Sequence, residues 1–486
     1  MSKVYLIGGG PGSEDLITLR AIKALKKCTA IMYDRLSGES VLKYVNKDAV
    51  IYYCGKEPGC HYKTQDEINA MLIALAKEGH IVGRIKGGDP YIFGRGGEEA
   101  LSLLEENIPF EVIPGITSPV SVLNYGGIPV THRKIAQSFH IFTGKSVDKL
   151  NLDFSVIAKL KGTLIFMMSF ENLGRIANEL IINGMDINTP AAVVMRGTTS
   201  KQKKAVGTIE NIYEIAKEKD LSNPAIIVVG EVVNFHDKLN WFEKKPLFGK
   251  NVCITRTKEQ SEEIGETLKE LGAEVAEINS IKISETIENL NPFLAKLDSY
   301  KYIVITSVNA ANIFFNALIK NNIDIRNLKG DFVTIGPASD KAVRERGIIP
   351  LLTAKEYVSE KLFVVMEPIL EKGDKILLPR SMNGRPQLVE LLTKAGCEVD
   401  DCHLYKTILG DNNNLGQFKE VDTVIFTSPS TVKNMITLVG IDEIKSKNVI
   451  SIGPITSQEL DENNISYKQC DESSNDGIIK KLLETI

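Results

Sequence analysis

Val82-Gly83-Arg84-Ile85-Lys86 runs into Gly87-Gly88-Asp89-Pro90-Tyr91-Ile92-Phe93-Gly94-Arg95-Gly96-Gly97-Glu98-Glu99. Glycine reaches backbone angles that side chains forbid and lets a bound molecule approach the main chain; the acid and the flanking bases add specific polar contacts. A β-branched run opening into such a loop points to a ligand site on an α/β scaffold.

Outward from this passage, short β-branched runs alternate with helical patterns. Strands are predicted at 4–7, 30–33, 50–54, 81–85, 110–113, 138–142, 163–166, 191–195 and 225–229. Helices are predicted at 19–27 and 65–77, the second carrying Ile68, Leu72, Leu75 and Ala76 at helical spacing. Gly8-Gly9-Gly10-Pro11-Gly12, Tyr33-Asp34-Arg35, Gly55-Lys56, residues 87–99, Pro114-Gly115-Ile116-Thr117-Ser118 and Arg196-Gly197-Thr198-Thr199 all fall at or just beyond strand ends. Loops so placed on an open α/β sheet converge on one crevice, which explains them more economically than unrelated turns. The first is not a dinucleotide loop, because its spacing is not GxGxxG and Pro11 lacks the amide hydrogen a pyrophosphate would use.

At 486 residues the chain exceeds the size at which one core keeps growing, so two or three domains are expected. Trp241-Phe242-Glu243-Lys244-Lys245-Pro246-Leu247-Phe248-Gly249-Lys250 breaks the alternation, and Val252-Cys253-Ile254-Thr255 restarts it. The predicted division is 1–240, a connector 241–249, and 250–486. Hydrophobic content of 43% and charged content of 25% fit an ordinary globular chain, and the net charge of -4 gives no reason to expect a nucleic-acid partner. Cysteines at 28, 54, 60, 253, 397, 402 and 470 lack CxxC spacing, and His61, His132 and His140 lack zinc spacing. No metal is expected, and a reducing cytoplasm is. Met1-Ser2-Lys3 is followed at once by a strand-like run ending in glycine, and no stretch approaches the roughly 20 apolar residues that span a bilayer.

The second part is internally duplicated. Ile254-Thr255-Arg256 and Leu271-Gly272-Ala273-Glu274-Val275 reappear as Leu378-Pro379-Arg380 and Ala395-Gly396-Cys397-Glu398-Val399. Tyr302-Ile303-Val304-Ile305-Thr306-Ser307 matches Thr423-Val424-Ile425-Phe426-Thr427-Ser428, and Val333-Thr334-Ile335-Gly336-Pro337 matches Ile450-Ser451-Ile452-Gly453-Pro454. Three signatures in the same order favour two related α/β units facing a common cleft.

Residues 3–236 resemble the uroporphyrinogen-III C-methyltransferases, within the tetrapyrrole methyltransferases. The resemblance is carried by Gly8-Gly9-Gly10-Pro11-Gly12, Tyr33-Asp34-Arg35, residues 87–99, Val112-Ile113-Pro114-Gly115-Ile116-Thr117-Ser118, Gly127-Ile128-Pro129-Val130-Thr131-His132-Arg133 and Val228-Val229-Gly230-Glu231-Val232-Val233. It implies S-adenosylmethionine as methyl donor, a cleft between two α/β lobes, and a homodimer. It further implies Pro11, Gly87, Gly88, Asp89, Ile92, Thr117, Ser118, Met168 and Gly197 around the donor. Asp34 and Lys56 become the catalytic pair, with Arg35, His132 and Arg133 on the substrate side. A carboxylate at Asp89 can accept hydrogen bonds from the donor, and Arg35 and Lys56 can hold a polycarboxylate macrocycle. Asp34 would take the proton lost after a ring carbon attacks the methyl. Two departures stand out: Gly55-Lys56-Glu57 where the family commonly has Gly-Lys-Arg, and Ser13 where it commonly has an acid. From the residues alone, Met168 also fits a core position, His132 a structural role, and Asp34 an exposed ion pair.

Residues 250–486 resemble uroporphyrinogen-III synthase, through Ile254-Thr255-Arg256-Thr257, Thr306-Ser307-Val308-Asn309-Ala310, Ile335-Gly336-Pro337, Leu378-Pro379-Arg380, Tyr405-Lys406-Thr407, Phe426-Thr427-Ser428-Pro429-Ser430 and Ile452-Gly453-Pro454-Ile455-Thr456. The resemblance implies two lobes, 250–283 plus 408–486 and 284–407, joined by two crossings. It implies closure of hydroxymethylbilane to uroporphyrinogen III with inversion of the last pyrrole. Thr306, Ser307, Thr427, Ser428 and Thr456 would orient substrate acetates and propionates, Arg256 and Arg380 would bind carboxylates, and Tyr405 would assist loss of the substrate hydroxyl. A buried structural tyrosine and surface ion pairs are the competing readings of Tyr405 and the two arginines.

Because the second reaction's product is the first's substrate, the fusion implies a bifunctional enzyme making precorrin-2 for sirohaem or cobalamin. Two other readings fit the same motifs: a methyltransferase of different regiospecificity with an inactive synthase-like module, and a non-catalytic tetrapyrrole-binding regulator.

Overall fold

A computed structural model of the chain describes residues 2–34, 39–55, 64–144, 152–256, 258–354, 359–410 and 415–485. Backbone contacts separate two units, Met1–Asn251 with Thr267–Glu274 and Val252–Glu266 with Val275–Ile486.

In the first unit, strands β1 (Lys3–Gly8), β2 (Ala30–Tyr33), β3 (Val50–Tyr53), β4 (Ile81–Lys86) and β5 (Phe110–Ile113) form a wholly parallel sheet in the order β3-β2-β4-β1-β5. Parallel sheets are covered on both faces, and the inner strands accordingly read as near-continuous apolar runs. The helix Gln65–Lys77 buries Ile68, Leu72, Leu75 and Ala76 and starts at a capping box between Thr64 and Glu67. The predicted helix 19–27 runs over Leu19–Leu25, with Lys26 as its C-cap. Because every strand points the same way, the C-terminal ends of β1 to β5 lie along one edge, where the loops after β1, β4 and β5 gather.

A second sheet holds β6 (Phe139–Thr143), β7 (Thr163–Met167), β8 (Pro190–Met195), β9 (Lys203–Thr208) and β10 (Ala225–Val229) in the order β6-β7-β10-β8-β9. Only β6 and β7 are parallel; β10 runs antiparallel to both β7 and β8. Edge strand β9, Lys-Lys-Ala-Val-Gly-Thr, escaped the sequence reading because two lysines and a glycine obscure its alternation.

The second unit contains β11 (Asn251–Ile254), β12 (Glu274–Glu277), β13 (Ile281–Glu285), β14 (Tyr302–Ile305), β15 (Asp331–Ile335), β16 (Leu352–Ala354), β17 (Lys375–Ser381), β18 (Glu398–Leu409), β19 (Thr423–Phe426), β20 (Asn448–Ser451) and β21 (Lys468–Gln469). They build two sheets, β12-β11-β19-β20-β21 and β13-β18-β17-β14-β15-β16. Apart from β13 the two orders correspond strand for strand, as the duplication requires. Yet each sheet mixes the copies: β11 and β12 come from the first repeat and β19, β20 and β21 from the second, while β14 to β16 come from the first and β17 and β18 from the second. The two repeats have exchanged halves within one chain. At the exchange, Gly410 follows β18 and donates its N–H to Ser280 O at 3.0 Å. A Cβ on Gly410 would fall 1.6 Å from Asn279 O, so only glycine lets the crossings touch.

Candidate active sites

Three loops meet through bare backbone at the edge of the first sheet. Gly10 and Gly88 exchange two hydrogen bonds, Gly88 N to Gly10 O at 2.7 Å and Gly10 N to Gly88 O at 3.3 Å. A Cβ on Gly115 would lie 2.1 Å from Gly88 O, and one on Gly8 would lie 2.3 Å from Gly115 N. These glycines therefore serve loop-on-loop packing as well as ligand access. Gly88 itself takes φ +67°, where a side chain is strained.

Asp89 clasps the same loops: its Oδ1 accepts from Tyr91 N at 2.8 Å and its Oδ2 from Gly115 N at 3.1 Å. A carboxylate has about four acceptor positions, so a ligand hydroxyl or amine can still be received. Thr117 and Ser118 open the helix Ser118–Tyr125, whose N-cap Thr117 makes no side-chain cap bond. Pro119 has no N–H, and Val120 N and Ser121 N both donate to Thr117 O at 3.2 Å, so among the described residues the Ser118 amide is the first-turn donor left for another acceptor.

The first sheet's edge is tied to the second sheet by Ser13 N, which donates to Thr198 Oγ1 at 3.2 Å. Gly197 packs so closely on the Ser118–Tyr125 helix that a Cβ would sit 2.4 Å from Val122 Cγ1. Around it Arg196 and the β-branched Thr198 hold φ of +46° and +73°, uncommon angles that cluster at ligand sites. Met168, just past β7, is 40% exposed at φ +51°, which removes the core reading. It stands at the end of β7, separated from β8 by β10.

Asp34 lies just past β2, half-buried, with Oδ2 3.2 Å from Arg84 Nη2. Arg35, Lys56, Glu57 and His61 fall outside the described residues. His132 rests its ring against Phe235 at 5.0 Å between centroids, and Arg133 beside it is exposed.

In the second unit, Tyr405 projects from β18 and is only 5% exposed. Its hydroxyl lies 3.0 Å from Ser307 Oγ, just past β14. Burial pushes the phenol pKa above the usual 10.0, against the pull of Ser307, Ser381 and Asn309. A phenol so placed keeps its proton and can donate it. Ser307 and Ser428 occupy equivalent positions in the two sheets and both act as N-caps, accepting from Ala310 N at 3.0 Å and Thr431 N at 3.4 Å. Their hydroxyl protons remain able to donate elsewhere. Thr306 and Thr427 precede them and are half-buried, whereas Thr456 is enclosed at 3% exposure.

The two duplicated arginines differ. Arg380 grips Asp401 with Nε and Nη2, both at 2.6 Å, and gives Nη1 to Gly384 O at 2.8 Å. Arg380 is thus engaged by a bidentate carboxylate on its own sheet. Among the described residues, the Arg256 guanidinium hydrogen-bonds a neutral amide oxygen, Asn475 Oδ1 at 2.8 Å, and no carboxylate reaches it within salt-bridge distance. Burial holds its pKa below the usual guanidinium range.

Residues 3–213 match the Tetrapyrrole (Corrin/Porphyrin) Methylases, and residues 262–480 match Uroporphyrinogen-III synthase HemD. The "Porphyrin biosynthesis protein HemD" of Ruminiclostridium josui is 36% identical over 491 residues, spanning 99% of this chain and 97% of that protein. The chain belongs to this HemD fusion family.

Its methylase half is 44% identical over 247 residues to a Uroporphyrinogen-III C-methyltransferase of Bacillus subtilis (strain 168), covering 50% of this chain and 96% of that one. It is 46% identical over 240 residues to the S-adenosyl-L-methionine-dependent uroporphyrinogen III methyltransferase of Methanosarcina barkeri, covering 49% and 94%. The HemD fusion is thus an enzyme of tetrapyrrole biosynthesis that joins a methyltransferase dependent on S-adenosylmethionine to a uroporphyrinogen-III synthase.

Sequence reasoning missed one group in the methylase half. Arg84, Lys86 and Glu99 are 3%, 4% and 0% exposed, and Glu99 Oε1 receives Lys86 Nζ at 2.6 Å and Arg84 Nε at 3.2 Å. The signal was present: bases at alternate positions of an otherwise apolar inner strand face the same side and need a buried counter-charge. Among the described residues, no three His, Cys, Asp or Glu side chains are grouped to hold a metal ion, and no helix is long and apolar enough to cross a membrane.

Proposed function

We propose that the synthase half closes hydroxymethylbilane to uroporphyrinogen III with inversion of the last pyrrole, and that the methylase half then methylates this product twice to precorrin-2. The observation that carries the reading is the presence of both families on one chain, in an arrangement shared with 97% of a fused relative. Residues 1–240 form the methylase, 241–249 the connector and 250–486 the synthase, with lobes 250–283 plus 408–486 and 284–407. The protein works in the cytoplasm as a homodimer through its methylase half, and its product feeds sirohaem or cobalamin synthesis.

In the synthase half, Tyr405 donates its proton to the departing substrate hydroxyl, and the Ser307 contact orients the phenol. Arg256 receives a substrate carboxylate, and Thr306, Ser307, Thr427 and Ser428 orient the acid side chains. Holding the last pyrrole in the inverted geometry is an orientation effect rather than a covalent one.

In the methylase half, S-adenosylmethionine supplies an electrophilic methyl on a sulfonium. The residues present fit this donor: Asp89 has acceptor capacity left, the Ser118 amide next to Thr117 opens its helix without an intrahelical partner, and Met168 offers a solvent-facing apolar side chain. Pro11, Gly87, Gly88, Ile92 and Gly197 shape the remaining wall. The loops align the ring carbon with the methyl and exclude water, while Asp34 takes the proton released from the methylated ring and Arg35, Lys56, His132 and Arg133 hold its carboxylates.

Purified protein given hydroxymethylbilane and S-adenosylmethionine tests this, with products resolved by mass and isomer. A dimethylated type-III product is expected. A singly or differently methylated product would assign another regiospecificity, and no turnover by folded protein would overturn both assignments.

A further inference from the structure

The buried charges beneath the methylase crevice have no part in the chemistry so far. Arg84 bridges two carboxylates: Nε lies 3.2 Å from Glu99 Oε1 and Nη2 lies 3.2 Å from Asp34 Oδ2, while Nη1 donates to Ile85 O at 3.1 Å. Glu99 Oε1 also receives Lys86 Nζ at 2.6 Å and Gln65 Nε2 at 3.2 Å. Register explains the convergence. Met32 of β2 pairs with Arg84 of β4, so Asp34 lies level with Lys86 and one strand away.

Such a cluster is a poor device for stability alone. Burying ions costs desolvation, and well-packed apolar residues of similar volume usually serve a core as well or better. The cost is visible in Lys86, whose pKa is held below 10.5 by burial and then by the Arg84 charge, against the pull of Glu99. It is visible also in Glu99 Oε2, which is buried without a hydrogen-bond partner. With both carboxylates ionised the four charges sum to zero, so Asp34 completes the balance of a group otherwise sealed in the interior.

We propose that Arg84 is a positioning residue that fixes the Asp34 carboxylate for proton removal, and that buried Glu99 and Lys86 hold Arg84 in place. The inference rests on Asp34 being the proton acceptor. A guanidinium suits the task because its planar fork presents separate donors in a fixed geometry, Nε to Glu99 and Nη2 to Asp34, whereas a lysine ammonium is a single freely rotating point charge. A base held in one orientation by locked neighbours loses less freedom on reaching the transition state.

The test compares Arg84→Lys, Arg84→Met, Asp34→Asn and the Asp34→Asn/Arg84→Lys double variant in the full chain, with uroporphyrinogen III and S-adenosylmethionine as substrates. Arg84→Lys retains a buried charge and so keeps the question answerable should Arg84→Met fail to fold. Binding of S-adenosylhomocysteine, measured by calorimetry, reports an intact donor site. Arg84→Lys is expected to lower kcat about 10- to 100-fold, leave the KM for donor unchanged, and make Asp34→Asn no slower in the double variant. Losses that multiply in the double variant, or an unchanged kcat in Arg84→Lys, would overturn the role of Arg84 alone. Full turnover by Asp34→Asn would overturn the Asp34 assignment and this inference with it.

Discussion

Asp34, just past β2, and Tyr405, within β18, are both acid–base candidates, and the tasks proposed for them are opposite. Tyr405 is sealed in the interior with a raised pKa, so it suits donation. Tyr405→Phe should slow ring closure by about 100-fold while leaving methylation of supplied uroporphyrinogen III intact; equal closure rates would reject its role. Asp34 is half-buried just past β2 and paired with Arg84. Asp34→Asn should cut methyl transfer by roughly 100-fold or more with little change in S-adenosylhomocysteine affinity. At Gly115 the constraint is steric, because a new Cβ would sit 2.1 Å from Gly88 O. Gly115→Ala should cost about 1–3 kcal/mol or more and weaken donor binding, read by chemical denaturation and calorimetry.

At the scale of elements, the turn after β14 and the turn after β19 solve one problem in the same way. Each strand is followed by Thr-Ser, and the serine caps the next helix, Val308–Lys320 or Pro429–Val439. Ser428→Ala should destabilise the second unit by about 1 kcal/mol, visible as a shifted denaturation midpoint. Ser307→Ala should cost a similar amount and also slow closure, because Ser307 touches Tyr405 whereas Ser428 does not. The same reasoning explains what was legible. Apolar runs such as β4 and β10 declare themselves, while β9 hides because an edge strand with two lysines obeys no clear alternation.

At the scale of the whole molecule, burial and the Lys204 charge hold the His236 pKa below 6.5. A lowered folded pKa means that the unfolded chain binds more protons. The stability His236 contributes is therefore complete above pH 6.5 and lost as pH falls through the folded value. Urea titrations from pH 7 to about 5 should show stability falling with acid, less steeply in His236→Gln. The sequence by itself determined the α/β class, the glycine-rich loops at strand ends, and the duplication, because periodicity, glycine and repetition are local properties of a chain. Tertiary structure alone decided that the repeats exchange halves, that Arg380 pairs with Asp401 while Arg256 meets the Asn475 amide, and that Glu99 lies under Arg84 and Lys86. Each of these depends on which distant residues strand order and register bring within a few ångströms, and no local pattern encodes that.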